Sequence, residues 1–276
     1  VLNLETNIPK ISCLLVTAGG RFEYFKQSVR CYLDQTYPNT ELLILNEGPK
    51  EYQQQISEHV EKLNRPDVRP VFLNGDYTLG ALRNISIGLA EGDLFCQWDD
   101  DDFNMPNRLA VQFSYLRHRP HLRAVYLSDQ LHYYFPTREL YWEDWKMYLS
   151  SGLLRYSLIP GTILAWKKGL EGRYPSSGTQ CKTGEDTVFS NYLLSKHVNI
   201  EVLSGFGNLQ IYSFHGKNVF DLEHHTVLSR LRSHGRQKMI QERERICKTI
   251  DYLKLEGKIN VMGREGLAFT YTCGDS

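Results

Sequence analysis

The sequence predicts an α/β fold, a mostly parallel central sheet with helices on both faces, followed by a C-terminal helical extension. Short apolar runs rich in branched residues, such as ISCLLVT (Ile11 to Thr17) and ELLILN (Glu41 to Asn46), alternate with amphipathic stretches. The links between them are short, as expected for parallel strands joined by right-handed helical crossovers. The strands themselves read as unbroken apolar runs, which suits burial on both faces of a sheet.

Taken in order, the first strand is broken by Gly19-Gly20, after which Phe22, Phe25, Val29 and Leu33 recur at helical spacing. That helix stops at Thr36-Tyr37-Pro38, because proline disfavours helical geometry in the residue before it. ELLILN is the second strand, and a polar, helix-compatible segment from Tyr52 to Leu63 leads to a third strand around Val68 to Leu73. Leu79 to Ala90 reads as a helix, and DLFCQW as a fourth strand. A helix after Pro106 runs to about Arg119, and AVYLSD is a further strand ending at Asp129. The second half loses this regularity. Aromatic residues crowd Tyr133 to Tyr148, GTILAW reads as a strand, RYPSSGTQCKTGED as a loop, and Glu185 to about Ser195 as a helix. Short strands around Val202 and from Leu209 to Phe214 precede HGKN, and a long helical, charge-rich segment spans roughly Leu222 to Leu255.

Composition narrows the function classes. Lysine plus arginine equal aspartate plus glutamate at 32 each, so the chain lacks the long-range field that nucleic acid would require. The six cysteines are scattered without the close pairs of a zinc site or a small disulfide framework, and they read as reduced thiols in a cytoplasmic chain. No run approaches the ~20 apolar residues needed to cross a bilayer.

Polar groups end three of the expected strands: Thr17, Asn46-Glu47, and Asp99, Asp100, Asp101 and Asp102 in CQWDDDDFNMPNR. In parallel sheets, ligands bind beyond the carboxyl ends of the strands, so these groups should converge on one crevice. Four adjacent carboxylates repel one another, and a bound cation would relieve this. The plainer alternative is an acidic turn capping the helix at Pro106.

From ISCLLVTAGGRFEYFKQSVRCYLDQTYPNTELLILNEG, through LGALRNISIGLAEGDLFCQWDDDDF and TGEDTVF, to HGKN, the chain resembles the family 2 glycosyltransferases of the GT-A (Rossmann-like) fold. The resemblance covers roughly Ile11 to Asn218 and rests on four motifs in the family's order. It implies a metal-dependent, inverting hexosyltransferase that moves a sugar from a nucleoside diphosphate donor, UDP-linked by family frequency, to a glycan, glycolipid or other hydroxyl acceptor. Polysaccharide or glycoconjugate synthesis is the implied setting. The family's Asp-x-Asp motif falls on Asp99 and Asp101 as ligands of Mn2+ or Mg2+, with Asp100 near the ribose or orienting the site. His215 matches a further metal ligand, or alternatively is an ordinary loop histidine. Asp186 matches the base that takes the acceptor's proton, with Glu185 beside it to bind the acceptor or orient the base. Locally, those two acids could equally be a helix N-terminus. Thr17, Asn46, Glu47 and Arg83 fall at the nucleotide, although Asn46 stands where the family usually carries an aspartate, which puts the base in doubt.

The domain organisation implied is a catalytic domain over 1–218, with a nucleotide-sugar half to about 130 and an acceptor half from 131, and an extension over 219–276 packed on it. The aromatic residues of Tyr133 to Tyr148 suit either sugar rings or a core. Arg230 to Lys248 reads as a solvated helix or, alternatively, as a peripheral contact at the inner face of a membrane. Two rivals to the transferase reading are a sugar-phosphate nucleotidyltransferase and an inactive carbohydrate-binding scaffold of the same fold. The first would need a basic glycine-rich phosphate loop where this chain has TAGGRFEYF.

Overall fold

A computed structural model of the chain describes residues 8–146, 157–218 and 221–274; Tyr148 of the aromatic stretch lies outside them. The chain divides into two compact units. One comprises the chain up to Asp101 with Pro106–Tyr126 and Pro160–Glu201, and the other Asp102–Met105, Leu127–Ile159 and the chain from Val202.

The described strands are β1 (Ile11–Thr17), β2 (Thr40–Asn46), β3 (Val68–Phe72), β4 (Leu94–Gln97), β5 (Phe103–Asn104), β6 (Ala124–Leu127), β7 (Asp129–Tyr134), β8 (Glu139–Asp144), β9 (Ile159–Trp166), β10 (Ile200–Leu203), β11 (Gln210–Phe214), β12 (Lys258–Gly263) and β13 (Gly266–Thr272). The helices are α1 (Phe22–Leu33), α2 (Lys50–Leu63), α3 (Leu79–Leu89), α4 (Arg108–Arg117), α5 (Glu185–Ser195), α6 (Leu222–Arg232), α7 (Arg236–Gln241) and α8 (Arg243–Leu253).

The first unit is built on a seven-stranded sheet of order β10-β6-β9-β4-β1-β2-β3. β1 pairs in parallel with β2 and β4, β2 in parallel with β3, and β9 runs antiparallel to β4. Every residue of β1 except Val16 is buried, as is every residue of β2 after Thr40, so both faces of these strands are covered. α1 contributes Phe25, Val29 and Tyr32 to the core, the face set by its helical spacing. Arg108, fully buried at the start of α4, lies over the Trp98 ring and donates to the Gln97 carbonyl at 3.3 Å. It thereby braces the end of β4.

α3 is fixed by a close backbone approach. Thr78 caps it, accepting from the Ala81 N–H, and Asn84 clamps residue 174 by donating to its carbonyl (2.8 Å) and accepting from its N–H (2.9 Å). A Cβ on Gly80 would stand 1.9 Å from the Pro175 carbonyl oxygen, so only glycine allows this approach. Gly80→Ala is therefore expected to destabilise the chain by about 1–3 kcal/mol or more, read as a lowered denaturation midpoint.

The second unit holds a six-stranded sheet of order β13-β12-β8-β7-β11-β5. β7–β8, β12–β13 and β5–β11 are antiparallel, whereas β7–β11 and β8–β12 are parallel. The aromatic stretch forms β7 and β8, and Tyr133, Tyr134, Tyr141 and Trp142 are buried, with Tyr134 and Tyr141 packed against Phe214. Of the two readings the sequence left open, these four rings follow the core. Asp129 is buried and accepts from the N–H groups of Gly205 and Gly207 and from Trp142 Nε1, each at 2.8 Å. This is a structural anchor rather than a reactive acid.

The C-terminal extension departs from the helical expectation. The segment from Leu222 divides into α6, α7 and α8, and the chain then forms the β12–β13 hairpin, whose β12 also pairs with β8. Among the described residues, no helix is long and apolar enough to cross a membrane.

Candidate active site

The first unit gathers most of the singled-out residues at the ends of β1, β2 and β4. Thr17 and Asn46 end neighbouring strands in register, and the aspartate row follows β4. Thr17 donates to Asp100 Oδ2 at 2.5 Å. Arg21, just before α1, forks across the row, pairing with Asp100 Oδ1 at 2.8 Å and with Asp101 Oδ2. Asp100 is 2% exposed. Burial first, and the neighbouring Asp101 charge second, push its pKa up to about 6 despite Arg21 and Thr17.

A second arginine organises the other end. Arg83, buried on α3, donates through Nε to Glu185 Oε1 at 2.7 Å and through a terminal nitrogen to Asp99 Oδ1 at 3.1 Å, with the Tyr174 ring beside its guanidinium. Gln97 donates to both Asp99 oxygens, at 3.2 and 3.0 Å. Burial opposes the Arg83 charge, but Asp99 and then Glu185 more than offset it, raising its pKa. Glu185 is thus a buried partner of Arg83, held by a charge-assisted hydrogen bond.

Asp186, the next residue of α5, accepts from the Thr187 N–H at 2.6 Å. Its pKa is raised to about 6, first by burial and then by Glu185, with Arg83 opposing the shift. It is a carboxylate poised to exchange a proton near neutral pH.

Other expected residues behave differently. Asn46 is fully buried, its amide donating to the Thr17 carbonyl at 2.7 Å and its oxygen accepting from the Gly48 N–H at 3.0 Å. Its polar groups hold the backbone at the end of β1 in place. Glu47 accepts from the Tyr77 N–H at 3.0 Å.

Asp102, the fourth of the row, belongs to the second unit. It is buried, accepting from the Ser213 N–H at 3.0 Å and from Gln210 Nε2 at 3.3 Å. The row is therefore divided between two tasks. His215 also lies in the second unit, at the end of β11, where its Nδ1 accepts from the Lys217 N–H at 3.2 Å. Nearby His225 faces the Tyr212 hydroxyl at 3.3 Å, and burial above all lowers its pKa to about 4, a neutral packed imidazole.

Asp99, Asp100, Asp101, Glu185 and Asp186 outnumber Arg21 and Arg83, and Gln97 Oε1 is buried without a hydrogen-bond partner. Among the described residues, no three His, Cys, Asp or Glu side chains form a ready metal cage. Magnesium and similar hard ions characteristically take one or two carboxylates and complete their shell with substrate phosphates and water. The excess negative charge and the oxygen donors of Asp99 and Asp101 fit an ion of that kind.

Arg21 and Gln97 were not singled out by the sequence. The signal for Arg21 was a lone arginine in the glycine turn after the first strand, facing a chain with four uncompensated aspartates. Gln97, inside an apolar strand run, offered none.

A family model described as Glycosyl transferase family 2 matches residues 13–169. An uncharacterized glycosyltransferase of Haemophilus influenzae is 28% identical over 121 residues, covering 43% of this chain and 36% of that protein. The chain thus spans little more than a third of that relative's length. Among solved structures, S. aureus TarS 1–349 in complex with UDP-GlcNAc superposes with a TM-score of 0.55 at 14% identity, covering 90% of this chain and 68% of that one. The mannosyltransferase PcManGT of Pyrobaculum calidifontis, in complex with GDP-Man and Mn2+, gives a TM-score of 0.55 at 12% identity, covering 91% and 66%. At these identities the likeness is one of fold, a mixed α/β architecture with a mostly parallel central sheet.

Proposed function

The chain belongs to glycosyl transferase family 2, and from that premise we propose that it transfers one sugar, with inversion, from a nucleoside diphosphate donor to a hydroxyl acceptor in glycan synthesis. The observation that carries this reading is the joining of the aspartate row to the Glu185-Asp186 pair through Arg83. A helix cap would need one carboxylate and no buried arginine linking α3 to α5.

Asp99 and Asp101 would hold a divalent cation, Mn2+ or Mg2+. Such a cation, when bound, supplies Lewis-acid stabilisation of the departing diphosphate. Asp100 would orient the ribose side of the site through Thr17 and Arg21. Asp186 takes the proton from the acceptor hydroxyl as that oxygen attacks the anomeric carbon, on the face opposite the diphosphate. Glu185, fixed by Arg83, sets the start of α5 and hence the direction of Asp186. Thr17 and Glu47 border the nucleoside, whereas Asn46 acts through the backbone that it holds. A UDP-linked sugar is the first choice of donor, supported by the UDP-GlcNAc complex of TarS; the GDP-Man and Mn2+ complex of PcManGT supports a nucleotide sugar with metal more generally.

Tests of release of nucleoside diphosphate from UDP- and GDP-sugars, with and without Mn2+, address this reading. Metal-dependent release that disappears in Asp186→Ala supports a transferase. Metal-independent release, or release unchanged in the variant, contradicts it. The rival scaffold reading expects no turnover of any donor.

A further inference from the structure

We propose that Arg21 is a displaceable counter-ion: it pairs with Asp100 and Asp101, and a divalent cation must drive it off Asp101 to bind there. This rests on the proposed metal-dependent transfer and adds to it a residue that sets the metal's affinity.

The two arginines of the site are built for different tasks. Arg83 sits inside helix α3, is buried, and is locked between Glu185, Asp99 and the Tyr174 ring. Arg21 is the N-cap residue of α1: its carbonyl accepts from the Phe25 N–H at 2.9 Å, while its side chain makes no capping bond and is left to the aspartates. Its side chain is 26% exposed. It follows Gly19 and Gly20, whose φ values of +115° and +78° lie where other residues are strained. The partly exposed Arg21 side chain can swing toward solvent by rotation about its own bonds, whereas the enclosed side chain of Arg83 cannot.

Arg21 spans two of the four adjacent carboxylates with its planar fork and offsets part of their mutual repulsion. A divalent cation on Asp101 and a guanidinium on the same carboxylate are like charges at close range, and the two bind in competition. Once released, Arg21 carries a bidentate donor suited to a diphosphate, whose negative charge arrives with the cation. Metal without nucleotide should then bind weakly, and metal with nucleotide strongly. This would keep the aspartates from holding a bare ion.

The test is direct Mn2+ binding to the full chain, by calorimetry and by paramagnetic resonance of free Mn2+, with and without UDP, for the native chain, Arg21→Gln and Arg21→Lys. Without nucleotide, Arg21→Gln should bind Mn2+ about tenfold more tightly than the native chain, and with Mn2+ present it should bind UDP about tenfold more weakly. Arg21→Lys, a point charge that cannot span both carboxylates, should gain a smaller part of the metal affinity, and it decides the matter if Arg21→Gln does not fold. Equal or weaker Mn2+ binding by the folded variants, while the native chain binds Mn2+ with UDP, overturns the role of Arg21 alone. Absence of Mn2+ binding by the native chain and both variants, with or without UDP, overturns the metal-dependent reading together with it.

Discussion

Asp186→Asn is expected to lower the turnover of sugar transfer by about a hundredfold to ten-thousandfold, the range typical of losing a general base, with nucleotide binding nearly unchanged. The amide keeps the shape and the hydrogen bond to Thr187 but cannot accept a proton. The pH profile sharpens this expectation. The Asp186 carboxyl is raised to about 6 by burial and by Glu185, so it is protonated below that pH and ionised above it. A base works only when ionised. Transfer should therefore rise with pH through about 6 and level off, falling to about a tenth of its plateau one unit below the midpoint. The same shift has a stability sign: a carboxyl whose folded pKa lies above its unfolded value stabilises the fold at low pH and loses that contribution as pH rises through about 6. Activity and this contribution to stability should thus move in opposite directions across one window. Asp186→Asn should remove the acid limb of the rate profile; a profile unchanged in the variant would assign that limb elsewhere.

The second large effect separates neighbours in the row. Asp101→Ala is expected to abolish metal-dependent nucleotide binding while changing stability little, because its carboxylate is partly exposed and is paired with Arg21. Asp102→Ala should do the reverse. Its buried carboxylate accepts from Ser213 and Gln210, and removing it leaves those donors unpaired, costing about 1–3 kcal/mol. Nucleotide titration and denaturant unfolding of the two variants side by side measure this directly. Equal loss of binding in both would mean that the row works as one ligand set.

The parallel core was legible because its signals are local. The run ISCLLVT reads as a buried strand and forms β1 over the same residues, and the pattern after Gly184 reads as a helix and forms α5. The second unit was much less legible. All six residues of β7 are buried, so the alternation that marks a half-exposed strand is absent and the aromatic stretch shows no period. The β12–β13 hairpin turns at Arg264-Glu265, and its alternating burial was obscured by the helical, charged sequence just before it.

The site shows the same contrast. Aspartates and acidic pairs announce themselves by type and by spacing. Arg21 and Asp100 lie 79 residues apart, and Arg83 and Glu185 lie 102 apart, so no local pattern could join them. Nor could sequence divide Asp101 from Asp102, since the division depends on which backbone each carboxylate meets. Asn46 misleads in the opposite direction, because its place at a strand end suggests a ligand contact while its amide is engaged by the backbone on either side.

The most direct test of the central claim is calorimetric titration of the chain with uridine, guanosine, thymidine, adenosine and cytidine diphosphates, each with and without Mn2+. Metal-dependent binding of one nucleotide, lost in Asp101→Ala, is the predicted result. Binding of none, or binding indifferent both to metal and to Asp101, would contradict it.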